Sequence, residues 1–224
     1  MKASYVSAAA LGTLLDPDAP IWSSHSPERV SMLGTPAGMQ PSAAIQVAWK
    51  GRKIGAIERA EIKALHNGEE LAFRLEWADA SEDAELPDND SFPDAAAILL
   101  PAAKGAPLMT MGAPELPVNA WYWRADERES ARHLVATGLG TSHTFDRTGV
   151  RGQGHWKSGR WRVVMARALR MESDQPLAQL PPGAETGFGI AIWEGSSAER
   201  GGLKSFSGNW LPLQLEPTTS GRNG

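Results

Sequence analysis

Alternating apolar and polar positions dominate this chain and predict β-strands rather than helices. From residue 70 to residue 77 every second side chain is apolar, which places Leu71, Phe73, Leu75 and Trp77 on one face. The Asn67-Gly68 pair before this segment is a strong hairpin signal and connects it to a strand at residues 62–66. Further strands are predicted at residues 95–100, 161–168, 187–193 and 210–215.

Turn residues separate these short strands throughout the chain. The 224 residues include 23 glycines and 16 prolines, and helical periodicity is weak apart from a short segment at residues 125–135. This pattern predicts a mainly all-β fold, an antiparallel β-sandwich with a few short helices. We expect a single domain over residues 1–224, with a disordered tail at about residues 217–224.

Composition excludes several classes of function. The net charge of −4 and the absence of a basic run argue against nucleic acid as a partner. No apolar stretch approaches the roughly 20 residues that cross a bilayer, so no membrane span is expected. The absence of cysteine excludes disulfides, iron–sulfur clusters, thiolate zinc sites and haem attached through thioether bonds.

The first fifteen residues allow two interpretations. Residues 5–15 resemble a short signal peptide with a single positive charge, or they begin the folded domain, because they lead directly into a segment ending in Ile21 and Trp22. We favour the second interpretation, in which export requires the signal of a partner protein.

Several familiar site patterns are missing, including the P-loop and the G-x-S-x-G motif. The acidic loop at residues 79–90 could bind calcium, although its spacing fits no known loop and a solvated linker is the simpler interpretation. The five histidines show no metal-ligand spacing, and only His155 is kept as a reserve ligand.

Two stretches offer an unusual pair of donor groups. Residues 109–123 begin with the thioethers of Met109 and Met111 beside Gly112, and residues 193–208 contain a single lysine, Lys204. Methionine is a common core residue and an isolated lysine is usually exposed, so either one alone indicates little. Together, a sulfur and an amine suit the two axial positions of a haem iron.

These stretches resemble a known family. Residues 111–125, with Met111-Gly112 followed by Pro117-Val-Asn-Ala-Trp-Tyr-Trp-Arg-Ala, resemble the core motif of the haem b-binding γ subunits of ethylbenzene dehydrogenase and its relatives, which include steroid C25 dehydrogenase. The segment Glu199-Arg-x-Gly-x-Lys-Ser-x-Ser-Gly208 is similar to the family's second motif. Weaker agreement extends from about residue 10 to residue 215.

The resemblance implies a β-sandwich that holds one non-covalent haem b between Met111 and Lys204. Met109, expected on the same strand face, is the rival sulfur ligand. Leu203 departs from the family, which often has a basic residue there, and this is expected to alter only the edge of the pocket. Three further residues are expected near the cofactor or its loop: Asn119, Trp121 and Trp123.

The resemblance further implies a non-catalytic electron-transfer subunit of a periplasmic, heterotrimeric molybdenum hydroxylase. The α subunit would carry the molybdenum cofactor and an iron–sulfur cluster, and the β subunit would carry further clusters. Electrons would pass to an external acceptor such as a soluble cytochrome c, and the chain would be co-exported with the α subunit. Two alternatives remain open: the haem subunit of a reductive complex acting on chlorate or selenate, and a haem-free carbohydrate-binding β-sandwich.

Overall fold

The computed structural model describes residues 1–146 and 149–218 as a two-layered β-structure. In chain order the strands are β1 (Lys2–Tyr5), β2 (Glu28–Ser31), β3 (Leu33–Gly34), β4 (Arg59–His66), β5 (Glu70–Ala78), β6 (Ala95–Pro101), β7 (Val118–Arg124), β8 (Ala131–Ala136), β9 (His143–Asp146), β10 (Val150–Trp156), β11 (Arg160–Ala168), β12 (Glu185–Trp193), β13 (Ser205–Phe206) and β14 (Leu211–Leu215). The helices are α1 (Leu11–Leu15), α2 (Pro20–Ser23) and α3 (Ala43–Ala48), with 3₁₀ turns at Ala37–Met39 and Ala125–Glu127.

The first layer has the order β10-β11-β5-β4-β1-β14, with β2 beside β4. The second layer has the order β12-β6-β7-β8-β9, with β13 and β3 beside β12. Strand β12 belongs to both layers, because its first half pairs with β14 and its second half pairs with β6. Strands β10 and β11 pack against β7 and β8, so the two layers face each other. The predicted β-sandwich is therefore confirmed.

The strand predictions at residues 70–77, 95–100, 161–168, 187–193 and 210–215 correspond to β5, β6, β11, β12 and β14. The predicted hairpin is also present: the Asn67 side chain accepts the Glu69 and Glu70 N–H groups, and Gly68 has a φ of 98°. One feature differs from a purely antiparallel sandwich. Strand β1 runs parallel to both of its neighbours, β4 and β14.

The helix predicted at residues 125–135 is wrong. The 3₁₀ turn at Ala125–Glu127 is followed by strand β8, which pairs with β7 along its whole length. Ala131, His133 and Val135 are buried in alternation, the period of a strand. The charged run before β8 is an exposed turn, which sequence composition alone cannot distinguish from a short helix.

The main core lies between the two layers and is rich in tryptophan. Trp77, Trp121, Trp123 and Trp161 are fully buried in it, and the rings of Trp123 and Trp161 meet edge to face with centroids 5.0 Å apart. Strand β10 approaches closely at Gly154, where a Cβ atom would lie 2.1 Å from the Trp123 ring. Burial of this aromatic surface stabilises the packing of the two layers.

The N-terminal residues are part of this fold. Ala3 and Leu14 are fully buried, and β1 lies between two strands of the first layer. The predicted tail is described only as far as Thr218, and residues 219–224 lie outside the described part of the chain. No helix among the described residues is both long enough and apolar enough to span a bilayer.

Candidate functional site

A cavity of about 340 Å³ lies on the outward face of the second layer, within the range of volumes typical of small-molecule and cofactor sites. Strands β6, β7 and β12 form most of its floor with alternate residues, with one residue each from β8 and β13, while the intervening residues point into the core. The walls are loops that follow β3, β6, β8 and β12. The floor residues are Ala97, Leu99, Ala120, Tyr122, Leu134, Ala191, Trp193 and Phe206.

Three alanines create the recess in this floor. Ala97 lies directly opposite Ala191, and Ala120 is a diagonal neighbour of Ala97 on the adjacent strand. Side chains at such positions are separated by about 5–8 Å. Because the surrounding positions are large and apolar, the alanines leave a shallow recess with room for a flat ligand.

A tight turn carries Met111 into the cavity wall. The Met111 N–H donates to Leu108 O at 2.9 Å and the Gly112 N–H donates to Pro107 O at 2.8 Å, the paired bonds of a Schellman motif. The left-handed position of this motif usually holds glycine, but here it holds Met111 with a φ of 57°. This conformation costs roughly 1–2 kcal/mol, and such strain beside a cavity is typical of functional sites.

Gly112 fixes the turn against the sheet. Its φ is 93°, and a Cβ atom there would lie 2.7 Å from Ala136 O and 2.9 Å from Leu116 O. The turn is also bonded to the next loop, because the Gly138 N–H donates to Met111 O at 3.1 Å. The expectation that Met109 and Met111 share a strand face is therefore wrong, since the segment is a turn.

Both methionines nevertheless line the cavity, and a third thioether joins them. Met109 is 41% exposed at the mouth, whereas Met111 is partly buried. Met39, at the end of the first 3₁₀ turn, lines the opposite wall. Met39 could not be connected with the other two from the sequence, because about seventy residues separate it from them in the chain.

The second predicted ligand, Lys204, lines the same cavity. Its Nζ lies 5.1 Å from the centroid of the Trp193 ring. Among the described residues no carboxylate or hydrogen-bond acceptor pairs with this amine. Burial lowers the pKa of Lys204 to about 8, because an apolar environment disfavours the charged form. The cavity thus holds an amine that is easily converted to its neutral form.

The residues around Lys204 in the predicted motif hold its loop. The buried Glu199 carboxylate accepts backbone N–H groups from Gly55, Ala56 and Glu194. Ser205 Oγ accepts the Ile57 N–H at 3.1 Å, and the Ser207 backbone and side chain both bond to Ile190. The conspicuous polar residues of this motif are thus structural supports for the lysine.

Three residues expected near the cofactor are placed elsewhere by strand alternation. Trp121 and Trp123 point into the core between the layers, while their neighbours Ala120 and Tyr122 face the cavity. Asn119 is buried on the same inner face and bonds to Pro176 O and the Ala178 N–H. The residues of β7 that face the cavity are therefore Ala120 and Tyr122.

The remaining candidates also lie away from the cavity wall. The reserve ligand His155 bonds through Nδ1 to Asp18. Of the six acidic residues at positions 79–90, only Asp79 joins a buried group, in which its carboxylate lies with those of Asp94 and Glu194 within 4.8 Å of one another. Each of the three carboxylates accepts hydrogen bonds from a backbone N–H group and from one side chain, which is an indole for the two aspartates and a hydroxyl for Glu194.

This acidic group should make stability depend on pH. Burial, and secondarily the charge of Asp94, raises the pKa of Asp79 to about 7 from its usual 3.8. Between these two values the folded protein retains a proton that the unfolded chain has lost. The stability linked to this proton is therefore fully present below about pH 4 and is lost as the pH rises through about 7. We expect the difference in unfolding free energy between Asp79→Asn and the wild type to shift in favour of the variant from pH 5 to pH 8. The shift should be on the order of 2 kcal/mol, and urea unfolding at the two pH values measures it.

The exposed Asp88→Asn provides the matched control for this measurement, and it should follow the wild-type pH dependence. A stability difference between Asp79→Asn and the wild type that is the same at pH 5 and pH 8 would contradict the assignment.

Fold and site together define a β-sandwich protein with an apolar, cofactor-sized cavity that presents thioether and amine donors. Residues 19–149 and 137–205 match the family described as ethylbenzene dehydrogenase. Because these segments cover most of the chain, the protein belongs to the ethylbenzene dehydrogenase family.

Three relatives span almost the whole chain. The chain is 32% identical over 206 residues to a protein named as a respiratory nitrate reductase heme subunit of Haloferax mediterranei, covering 92% of this chain and 70% of that one. It is 30% identical to the chlorate reductase subunit gamma of Ideonella dechloratans, covering 94% and 83%. It is also 30% identical to the dimethylsulfide dehydrogenase subunit gamma of Rhodovulum sulfidophilum, covering 92% and 77%.

Among solved structures, the fold is similar to that of a protein from Bacteroides uniformis described as carbohydrate-binding. The TM-score is 0.54, with 96% of this chain and 98% of the other covered, but only 10% of residues are identical. This likeness concerns the fold alone.

Proposed function

We propose that this protein is a haem-binding γ subunit that transfers electrons within a molybdoenzyme complex. The observation that carries the proposal is one apolar cavity lined by both the Met111 thioether and the Lys204 amine, which no carboxylate or hydrogen-bond acceptor among the described residues binds. Family membership and relatives named as heme or gamma subunits support it.

The donor groups fit a haem iron. Lysine binds iron only as a neutral amine, and at pH 7 an unperturbed lysine loses its proton at a cost of about 5 kcal/mol. With a pKa of about 8, Lys204 requires only about 1 kcal/mol. The apolar floor suits a porphyrin, and the absence of cysteine leaves a non-covalent, b-type haem.

The chain's own residues would hold the group in this cavity. Met111 and Lys204 would bind the haem iron, and with both donors bound the iron would have no free position for oxygen or a substrate. A bound haem supplies reversible one-electron exchange, and a methionine ligand raises its reduction potential. Tyr122 and Trp193 form an edge-to-face pair with centroids 5.3 Å apart, which makes the cavity floor beside Lys204 aromatic. These residues perform no bond chemistry, so the subunit is not an enzyme by itself.

The proposed complex is a periplasmic heterotrimer of the ethylbenzene or steroid C25 dehydrogenase type. Its α subunit would carry the molybdenum cofactor and an iron–sulfur cluster, and its β subunit further clusters. Electrons would leave this subunit for an external acceptor such as a soluble cytochrome c. The chain would be exported together with the α subunit.

A reductive complex is the second candidate, supported by the similarity to the chlorate reductase subunit gamma. In that case electrons would flow through the haem toward the catalytic subunit. Turnover of the purified complex with a hydrocarbon and an oxidant, compared with chlorate and a reductant, separates the two candidates.

Reconstitution of the purified chain with haemin tests the function directly. We expect one non-covalently bound haem per chain, quantified by its pyridine haemochromogen spectrum, and sharp α and β bands after reduction with dithionite. A chain that stays colourless, or that binds soluble oligosaccharides instead, would contradict the proposal.

A further inference from the structure

The loop between β3 and α3 forms the cavity wall beside Lys204, and one threonine in it is bonded to the lysine segment at three points. The Thr35 N–H donates to Lys204 O at 3.0 Å. The Thr35 hydroxyl donates to Gly202 O at 2.6 Å and accepts the Lys204 N–H at 3.3 Å. Thr35 thus holds the backbone on both sides of the buried Leu203.

A buried amide completes this arrangement. The Gln40 side chain is 4% exposed, and its Nε2 donates to Gly202 O at 3.1 Å. A Cβ atom on residue 202 would lie 2.1 Å from Gln40 Oε1, so only glycine allows the amide to reach its position. Gln46 in turn donates to the backbone oxygen of Gln40 at 2.8 Å, which connects the wall to α3.

The other bonds to the lysine segment lie toward its ends, at Glu199, Gly201 and Ser205. It is a turn between β12 and β13, and Leu203 N–H donates to Arg200 O within the turn itself. A lysine amine sits at the end of a long flexible stem, so its position depends on a fixed backbone. The contacts from Thr35 and Gln40 provide that fixed backbone.

We propose that Thr35 and Gln40 are positioning residues that hold Lys204 so that its amine stays in the cavity as an iron ligand. This inference rests on the proposed haem function. Neither residue belongs to the two sequence motifs, and neither needs to touch the cofactor to have this effect.

The test measures carbon monoxide binding to the dithionite-reduced, haem-loaded chain. Carbon monoxide needs a vacant axial position, so its binding rate reports how often a protein ligand leaves the iron. We expect Thr35→Val and Gln40→Leu to retain haem and to bind carbon monoxide about tenfold faster than the wild type. Thr35→Ser keeps the hydroxyl and should restore the slow rate.

Thr186→Val is the matched control, because Thr186 lies on β12 outside the cavity lining; it should behave like the wild type. Thr35→Val and Gln40→Leu variants that hold haem and exclude carbon monoxide like the wild type would overturn the inference while leaving the haem function intact. A wild-type chain that takes up no haem would instead overturn the proposed function, and with it this inference.

Discussion

Replacing Ala120 by leucine is expected to weaken haem binding strongly while the β-sandwich still folds. Ala120 lies in the cavity floor between Leu99 and Leu134 on the adjacent strands. The larger side chain would occupy the recess, and forcing a rigid ligand against it costs about 1–3 kcal/mol or more. Because every 1.4 kcal/mol is a factor of ten in affinity, the haem affinity should fall by about fivefold to more than a hundredfold. The measurement is a haemin titration followed by absorbance, with circular dichroism to verify the fold.

Ala102→Leu is the matched control, since Ala102 follows β6 outside the cavity lining. It should bind haem like the wild type. Undiminished haem binding by Ala120→Leu would show that the ligand does not lie over this floor.

Removing either proposed iron ligand is expected to change the visible spectrum of the bound haem. Lys204→Ala should convert the low-spin, six-coordinate haem into a five-coordinate form that binds carbon monoxide rapidly. Met111→Ala should open the other axial position and also lower the reduction potential, because methionine ligation raises it. The visible spectrum of the reduced protein and a redox titration measure these changes.

Two other methionines serve as controls for this prediction, because both line the cavity. Met109→Ala and Met39→Ala should retain the wild-type spectrum. If Met109→Ala alters the spectrum and Met111→Ala does not, the more exposed sulfur is the ligand.

Much of the fold was predictable because strand alternation is a local property. The pattern at residues 70–77 and the Asn67-Gly68 turn predict β5 and its hairpin without tertiary information. Strand β1 was missed, since a four-residue strand that joins the sheet through parallel pairing has little pattern of its own. The predicted helix at residues 125–135 failed because pairing with β7 outweighs local propensity.

The site was predictable only in part. The resemblance pointed to Met111 and Lys204, and both line one cavity although ninety-three positions separate them. The tryptophans of β7 were expected beside the cofactor because they stand out in the sequence. Strand alternation instead assigns the cavity to Ala120 and Tyr122. The sequence did not indicate which face of β7 would be buried between the two layers and which would line the cavity.

The sequence could not predict that Thr35, Gln40 and Met39 lie at the cavity. Each comes from a loop more than sixty residues away from either motif, and only the pairing of β3 with β13 brings that loop beside Lys204. The two alanines opposite each other in the floor were equally hidden, because alanine is common in buried strands.

An iron-edge anomalous difference map from crystals of the haem-loaded protein would locate the iron and the side chains that bind it. We expect one iron peak in the cavity, bonded to the sulfur of Met111 on one side and to the Nζ of Lys204 on the other. A peak bonded to another donor, or a cavity without iron in which Lys204 still packs on Trp193, would contradict it.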